Sequence, residues 1–235
     1  MSKKYWTIQQ LAAPGTARAA DVYIYGDIVP WAWPEYGEQS AHTFKEEIKA
    51  LDVDIIRVHI DSCGGNINEA WGIYNTLREH PARIETYADG FVASAALYPY
   101  LAGDVRYTSS LAAFYLHNAW TYAEGYAEEL RKAADEVEAL TAVGIAAFTE
   151  RAGMDAETVK QLMDAETWLT PDQAIEYGIA TAKTEEAATG ATQSARAAIM
   201  QRVFNKPGAP AQQTEKPKEK PQQSNMCALS GFFNI

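Results

Sequence analysis

The chain has 235 residues, 31 of them acidic and 20 basic, which gives a formal net charge of −11. This length is typical of one domain, or of one domain with a tail. The charge argues against a nucleic-acid partner, because neutralising phosphates requires a surplus of lysine and arginine, and it also argues against a polybasic membrane-surface protein. No run of about 18 apolar residues occurs, so we expect no transmembrane helix and no membrane partner.

Strands and helices alternate along most of the chain. The predicted strands cover residues 21–26, 54–60, 83–87 and 114–117. The predicted helices cover residues 43–51, 68–80, 93–101, 125–151, 171–177 and 192–204. Strands separated by helices of about 8 to 15 residues are typical of βαβ units, so we predict an α/β fold.

The longest predicted helix carries apolar or small residues at alternating spacings of four and three, which is a heptad seam. The seam consists of Tyr126, Leu130, Ala133, Val137, Leu140, Gly144 and Ala147. A helix with one narrow apolar stripe requires a partner surface, which the rest of its own domain can supply for part of its length. Gly144 and Ala147 would allow two such helices to approach closely.

The composition changes at about residue 205. Residues 205–225 hold four of the ten prolines among lysines and glutamines, and such a segment cannot bury enough apolar area to offset its chain entropy. We therefore predict an N-terminal segment over 1–20, a domain over 21–204 and a disordered tail over 205–235. The apolar end of the tail favours a docking peptide or an added strand, or else a frayed terminus without a role.

The two cysteines, Cys63 and Cys227, are too few for a framework of disulfides or for a four-cysteine zinc site. Residues 1–6 carry positive charge but no apolar run follows them, which is unlike a secretory signal. These features are typical of a reducing compartment. We expect a cytoplasmic protein with no metal site and no cofactor.

Two stretches that link a predicted strand to a predicted helix could serve chemistry. In residues 61–68, the adjacent Gly64 and Gly65 allow positive φ and can turn backbone N–H groups towards an anion, although an ordinary turn is the commoner explanation. Ser94 follows among small residues at the start of a predicted helix. There its hydroxyl either caps the helix or faces a developing oxyanion.

A histidine and two carboxylates complete a candidate set. His117 ends a predicted strand, and sites gather at the carboxyl ends of strands in α/β sheets, although a lone histidine is more often structural. Asp164 and Glu166 lie shortly before a predicted helix. A serine, a histidine and a carboxylate form an acyl-transfer triad, for which the glycine turn would supply an oxyanion hole.

The order of these motifs resembles the Clp-type serine peptidases, the ClpP family. Those enzymes have a Gly-Gly turn, a serine in a Gly-x-x-Ala-Ser context, a histidine at a strand end, and an acid before a Leu-Ser/Thr helix start. The matching positions here are 64–65, 90–94, 117 and 166–170. The resemblance covers roughly residues 21–184. It implies a ClpP/crotonase-like α/β fold of repeated ββα units with a protruding handle helix, and serine endopeptidase activity.

The resemblance also assigns roles to individual residues. It implies that Ser94 is the nucleophile, His117 the base and Glu166 the acid. The family has aspartate at the position of Glu166, so Asp164, which lies two residues earlier, is the second choice for the acid. The N–H groups of Gly65 and Ala95 would form the oxyanion hole. An extended peptide would bind along the glycine turn and the segment after His117. The expected substrate contacts are Gly64, Asn66, Ile67, Trp120 and Tyr122.

The sequence departs from the family beside the turn, since Cys63 stands where the family usually has proline. This makes a cysteine nucleophile a remote alternative. Residues 117–120 and 166–168 are similar to the phage-type members, the ClpP-like head maturation proteases. That similarity implies cleavage of capsid or scaffold proteins in the host cytoplasm or the prohead interior.

The resemblance further implies homo-oligomeric rings, two of them stacked through the long helix. Because the chain carries no ATPase signature, any ATPase unfoldase would be a separate protein. Two alternatives remain open. One is a crotonase-type acyl-CoA enzyme, and the other is a catalytically inactive ring-forming assembly subunit.

Overall fold

An eight-stranded, mostly parallel sheet is the centre of the fold in a computed structural model, which describes residues 6–11, 18–29 and 41–184. The predicted helix over 192–204 and the tail over 205–235 lie outside the described residues. So do Cys227 and part of the N-terminal segment. The model thus describes most of the predicted domain.

The strands are β1 (Trp6–Leu11), β2 (Ala19–Tyr25), β3 (Ile55–Ser62), β4 (Arg83–Ala93), β5 (Val105–Thr108), β6 (Ala113–Leu116), β7 (Thr167–Leu169) and β8 (Ala182–Lys183). The helices are α1 (Ala41–Lys49), α2 (Ile67–Glu79), α3 (Leu97–Leu101), α4 (Ala127–Ala152), α5 (Ala156–Asp164) and α6 (Pro171–Glu176). A short 3₁₀ helix, Ser94–Ala96, immediately precedes α3.

The sheet divides at β4. Its main path has the order β1-β2-β3-β4-β5-β8, in which only the β1–β2 pair is antiparallel. The first part of β4 pairs with β5, whereas its last residues pair with β6, which in turn pairs antiparallel with β7. The carboxyl end of β4 is therefore brought beside the carboxyl end of β6.

The core lies between the sheet and the helices that connect its strands. Along β3, Ile56, Val58 and Ile60 are buried and the intervening residues are half-buried, as the period of two in a strand predicts. In α1, Phe44 and Ile48 are buried four residues apart, which matches the period of a helix. The predicted strand and helix periodicities are thus confirmed here.

Two predicted boundaries around residue 90 are wrong. The strand expected over 83–87 continues to Ala93, and the helix expected over 93–101 begins as a 3₁₀ turn at Ser94 before α3 starts at Leu97. The extension of β4 depends on its pairing with β6, a contact between segments distant in the chain. The sequence analysis also missed β1, β5, β7, β8 and α5. Most of these strands are too short for a visible period.

Helix α4 protrudes from the domain at its N-terminal end. It spans 26 residues and ends at Gly153, which has a φ of 69° and so adopts the left-handed conformation common after a helix. Its buried residues, Gly144 and Phe148, lie near its C-terminal end. A Cβ at Gly144 would lie 2.3 Å from Tyr98 Oη, so this glycine accommodates its own domain rather than a second helix.

Among the described residues, no helix is both long and apolar enough to cross a bilayer.

Candidate active site

Ser94 lies at a sharp turn where β4 gives way to the 3₁₀ helix. Its φ is 55°, a conformation that non-glycine residues rarely adopt. The turn is packed against Gly64, where an added Cβ would lie 2.6 Å from Ala93 O and 2.8 Å from Ala95 N. The glycine after β3 thus allows the ends of β3 and β4 to approach, and this close packing supports the turn that presents Ser94.

The structure brings His117 and Ser94 together. Because Ala93 of β4 pairs with Tyr115 of β6, the next residues of both strands emerge side by side. His117 Nε2 lies 2.7 Å from Ser94 Oγ, which is hydrogen-bond distance. With neutral imidazole, the Ser94 hydroxyl donates to Nε2, the arrangement that a general base requires.

The protonation of His117 favours this arrangement. Burial lowers the pKa of His117 below its ordinary value, and this effect outweighs a backbone hydrogen bond with Asn118 and the negative charge of Glu166, both of which raise it. A lowered pKa keeps the imidazole neutral at neutral pH. His117 can therefore accept a proton there.

Glu166 lies near His117, in the turn that immediately precedes β7. Strand β7 pairs antiparallel with β6, and Thr167 is the partner of Leu116. Glu166 directly precedes Thr167 and His117 directly follows Leu116, so both residues lie at the same end of this strand pair. The negative charge of Glu166 acts on His117 from there. The described hydrogen bonds include none between the Glu166 carboxylate and the His117 ring. Instead, the Tyr115 hydroxyl donates to Glu166 Oε2 over 3.4 Å.

Asp164, the second choice for the acid, has different partners. Asn118 Nδ2 donates to its Oδ1 over 2.8 Å, and the Lys160 ammonium donates to its Oδ2. These bonds, that of Lys160 foremost, lower the pKa of Asp164. Its carboxylate thus binds the residue after His117, while the charge of Glu166 acts on His117 itself.

Gly65 lies at the edge of the cleft, next to Ile28. It forms a parallel bridge with Ile28, in which Ile28 N–H donates to Gly64 O and Asn66 N–H donates to Ile28 O, each over 2.8 Å. In such a bridge the central residue's own N–H points away from the partner. Ala95 lies in the first turn of a helix, where N–H groups have no acceptor within the helix. Gly65 and Ala95 both line the cavity, where an oxyanion hole would have to lie.

A cavity of about 360 Å³ opens beside Ser94 and His117. Of the residues expected to contact substrate, Asn66, Ile67 and Trp120 line it, while Gly64 lies buried behind the Ser94 turn and Tyr122 lies outside the cavity lining and is 70% exposed. Cys63 is also outside the lining, which argues against a cysteine nucleophile.

The apolar wall of the cavity was missed in the sequence analysis. It is formed by Leu97, Tyr98, Leu116, Leu140, Phe148 and Met163. Leu140 belongs to the predicted seam of α4, so the seam gave a partial signal. For the others, an apolar pattern does not distinguish a residue that lines a cleft from one in the core.

Comparison with known proteins places this arrangement in a family. The family model described as Clp protease matches residues 35–186. The chain belongs to the Clp protease family.

Two relatives illustrate the similarity of the sequence to Clp proteases. The ATP-dependent Clp protease proteolytic subunit 1 of Prochlorococcus marinus strain MIT 9312 is 32% identical over 173 residues, which cover 70% of this chain and 89% of the relative. The subunit of the same name from strain NATL2A is 30% identical over 170 residues, covering 69% and 87%. Neither name refers to phage heads, so the phage subgroup stays a prediction.

The fold is that of ClpP. A mutant of ClpP1 from Listeria monocytogenes superposes with a TM-score of 0.60 at 23% identity, over 71% of this chain and 92% of that chain. The predicted ClpP-like α/β fold is thereby confirmed.

Proposed function

We propose that this Clp protease family member is a serine endopeptidase that cleaves peptide bonds through an acyl-enzyme on Ser94. The observation that carries the proposal is the 2.7 Å contact between His117 Nε2 and Ser94 Oγ at the mouth of a cavity. A match to Clp proteases also favours a peptidase over the crotonase-type alternative.

The reaction would proceed in two halves. Ser94 Oγ attacks the peptide carbonyl carbon as its proton passes to His117 Nε2, and the negative charge of Glu166 stabilises the resulting imidazolium. The N–H groups of Gly65 and Ala95 hold the oxyanion. The tetrahedral intermediate then expels the amine, which takes the proton from His117. Water, activated by His117, hydrolyses the acyl-Ser94 ester by the same steps.

Substrate would bind as an added strand between the segment after the glycine turn and the segment after His117. Main-chain hydrogen bonds in such a complex give little sequence preference, so selectivity comes from the pocket. The apolar wall of the cavity, which includes Leu97, Leu140 and Phe148, favours an apolar side chain next to the scissile bond. Trp120 would cover that side chain from the outer rim.

The test is covalent labelling with a fluorophosphonate, followed by mass spectrometry to locate the adduct. We expect one adduct on Ser94 in the wild type. Replacing Ser94 or His117 by alanine should lower labelling and peptide hydrolysis about 10³-fold or more. Ser110→Ala, a change of the same kind at an exposed position, should leave both intact. An unlabelled wild type would instead support the catalytically inactive ring subunit.

For biological role, we propose cleavage of capsid or scaffold proteins during phage head maturation, in the host cytoplasm or the prohead interior. Support comes from the motifs at 117–120 and 166–168, together with the predicted tail. Co-expression with neighbouring capsid genes, followed by mass spectrometry, would test it. Capsid proteins processed by the wild type and left intact with Ser94→Ala are the expected outcome, and intact proteins in both would contradict this role.

We also propose that the chain forms homo-oligomeric rings that enclose the active sites. The protruding half of α4 supplies a contact surface, and enclosure restricts a protease of low selectivity to polypeptides that are threaded in or packaged with it. The relatives' name, ATP-dependent Clp protease proteolytic subunit, supports an ATPase unfoldase as a separate partner.

A further inference from the structure

We propose that Tyr115 is a positioning residue of this active site, whose hydroxyl holds the Glu166 carboxylate beside His117. The inference rests on the proposed function, because it takes Glu166 as the acid that serves His117. It adds a fourth side chain to the serine, histidine and glutamate.

The β6–β7 pair places the relevant side chains on one face. Tyr115 lies in β6, and His117 comes two residues later, immediately after the strand ends. Both side chains therefore point to the same side of the strand. Trp168 of β7 lies directly opposite Tyr115, and Glu166 lies in the turn just before β7, at the end of the pair where His117 follows β6. Glu166 is two residues before Trp168, so its long side chain can reach the Tyr115 hydroxyl.

The contacts agree with this placement. Tyr115 is only 7% exposed, and its hydroxyl donates to Glu166 Oε2 over 3.4 Å. The Tyr115 and His117 ring centroids are 5.3 Å apart. A carboxylate can accept hydrogen bonds on both oxygens, so the bond to Oε2 leaves Oε1 for the His117 ring.

A glutamate at this position depends more than an aspartate would on a second contact that fixes its carboxylate. Its side chain has one more methylene, and one more rotatable bond, than the aspartate found in the resembling enzymes. Glu166 also has a φ of 51°, so its backbone is held in a rarely populated conformation. A second contact on the carboxylate reduces the freedom of the longer side chain and limits the positions from which it acts on His117.

The Tyr115 ring is itself held in place. Trp168 stacks on it with a centroid separation of 4.5 Å and an interplanar angle of 24°. Trp168 also contacts Phe91 of β4, with a separation of 5.6 Å between ring centroids. Three strands thus contribute to one aromatic cluster, and a ring fixed in this way is preorganised to present its hydroxyl to Glu166.

The experiment compares Tyr115→Phe with the wild type by the second-order rate of fluorophosphonate labelling of Ser94. Because this hydrogen bond is long, at 3.4 Å, its loss should lower the rate about fivefold, which corresponds to about 1 kcal/mol. Tyr87→Phe is the matched control, since it removes the hydroxyl from a tyrosine–glutamate hydrogen bond of 3.0 Å to Glu85, outside the cleft. We expect Tyr87→Phe to label at the wild-type rate.

The pH profile separates positioning from mere packing. If Tyr115 holds Glu166 near His117, its loss weakens the effect of Glu166 that raises the pKa of His117, and the rise in labelling moves to lower pH. An unchanged rate and midpoint would overturn the proposal. A faster rate with a midpoint at higher pH would also overturn it, by showing that Tyr115 competes with His117 for Glu166.

A double-mutant cycle gives an independent test. Glu166→Asp withdraws the carboxylate from a contact that is already 3.4 Å long, so Tyr115→Phe should have little further effect in that background. Independent, additive effects would contradict the proposal. An unlabelled wild type would instead contradict the proposed function, so the two failures are distinguishable.

Discussion

Unusual backbone conformations coincide with the candidate triad. Within the described residues, Ser94 and Glu166 are the non-glycine residues with positive φ, at 55° and 51°. Such conformations cost about 1–3 kcal/mol each and persist where the surrounding structure imposes them, often at active sites. Here the close packing of Gly64 against the Ser94 turn is one of the contacts that impose the conformation of Ser94. Two distant positions share this property, which supports a common role.

The first prediction concerns Gly64. In Gly64→Ala, the new methyl group would meet Ala93 O at 2.6 Å and Ser94 Cβ at 2.7 Å, so the Ser94 turn must shift. A displacement of about 1 Å in a catalytic group can cost about 10²-fold in rate, and we expect a loss of this order in fluorophosphonate labelling.

Gly26→Ala is the control for Gly64. Gly26 also has a positive φ, of 103°, but an added Cβ there would have no neighbour within 4 Å. The control thus introduces similar backbone strain without the collision, and it should keep wild-type labelling. Equal labelling of both variants would show that the approach of Gly64 does not position Ser94.

The second prediction is the pH dependence of Ser94 labelling. His117 must be neutral to accept the Ser94 proton, so labelling should rise with pH as His117 loses its proton. Burial lowers the pKa of His117, so the midpoint should lie below the value of about 6.5 that is usual for histidine. Labelling rates measured from pH 4 to 9 would check this, and a midpoint above 6.5 would contradict it.

At the scale of elements, one buried arginine joins segments that are far apart in the chain. Arg106 of β5 is 5% exposed, and its guanidinium donates to four carbonyl groups. These carbonyls belong to Gly103, Arg151, Gly178 and Ile179. Arg106 thus satisfies acceptors at the end of α4, before β5 and after α6, and so holds the base of the protruding helix on the sheet.

The third prediction tests this role. Lysine keeps the charge of Arg106 but cannot reproduce the planar set of donors, so Arg106→Lys leaves buried carbonyls unpaired. We expect the free energy of unfolding to fall by about 3 kcal/mol, measured by urea denaturation. Arg131→Lys is the control, because Arg131 forms an exposed ion pair with Glu128 and should cost about 1 kcal/mol or less. Equal costs would contradict the prediction.

At the scale of the whole molecule, the protruding part of α4 exposes apolar side chains. Leu130 is 44% exposed and Tyr126 is 86% exposed. Leu140 lies further along the same seam but lines the cavity, so changing it would alter the active site as well as any contact between subunits. Leu130 is therefore the better position at which to examine assembly.

The fourth prediction follows from the proposed rings. Leu130→Glu places a charge on the α4 seam, so stacked rings should separate and the mass from size-exclusion chromatography with light scattering should halve. Ala139→Glu adds the same charge at an exposed position off the seam and should preserve the wild-type mass. A monomeric wild type that labels fully at Ser94 would contradict assembly as a requirement for activity.

The sequence by itself determined the α/β class and the neighbourhood of the site. Period-two and helical patterns were sufficient for β2, β3, α2 and α4, because long elements carry several turns of their own period. Ser94 could be singled out at the start of a helix pattern, and His117 at the end of a strand pattern. Neighbouring parallel strands bring their carboxyl ends to one edge, so such residues tend to meet.

The tertiary structure alone decided which partners these residues have. The length of β4 depends on its pairing with β6, and the place of Glu166 near His117 depends on the β6–β7 pairing. The hydrogen bonds of Asp164 with Asn118, of Arg106 with Arg151 and of Tyr115 with Glu166 join positions 45 or more residues apart. Local patterns carry no information on such contacts, because the same apolar or charged residue satisfies its own strand or helix whichever distant segment packs against it.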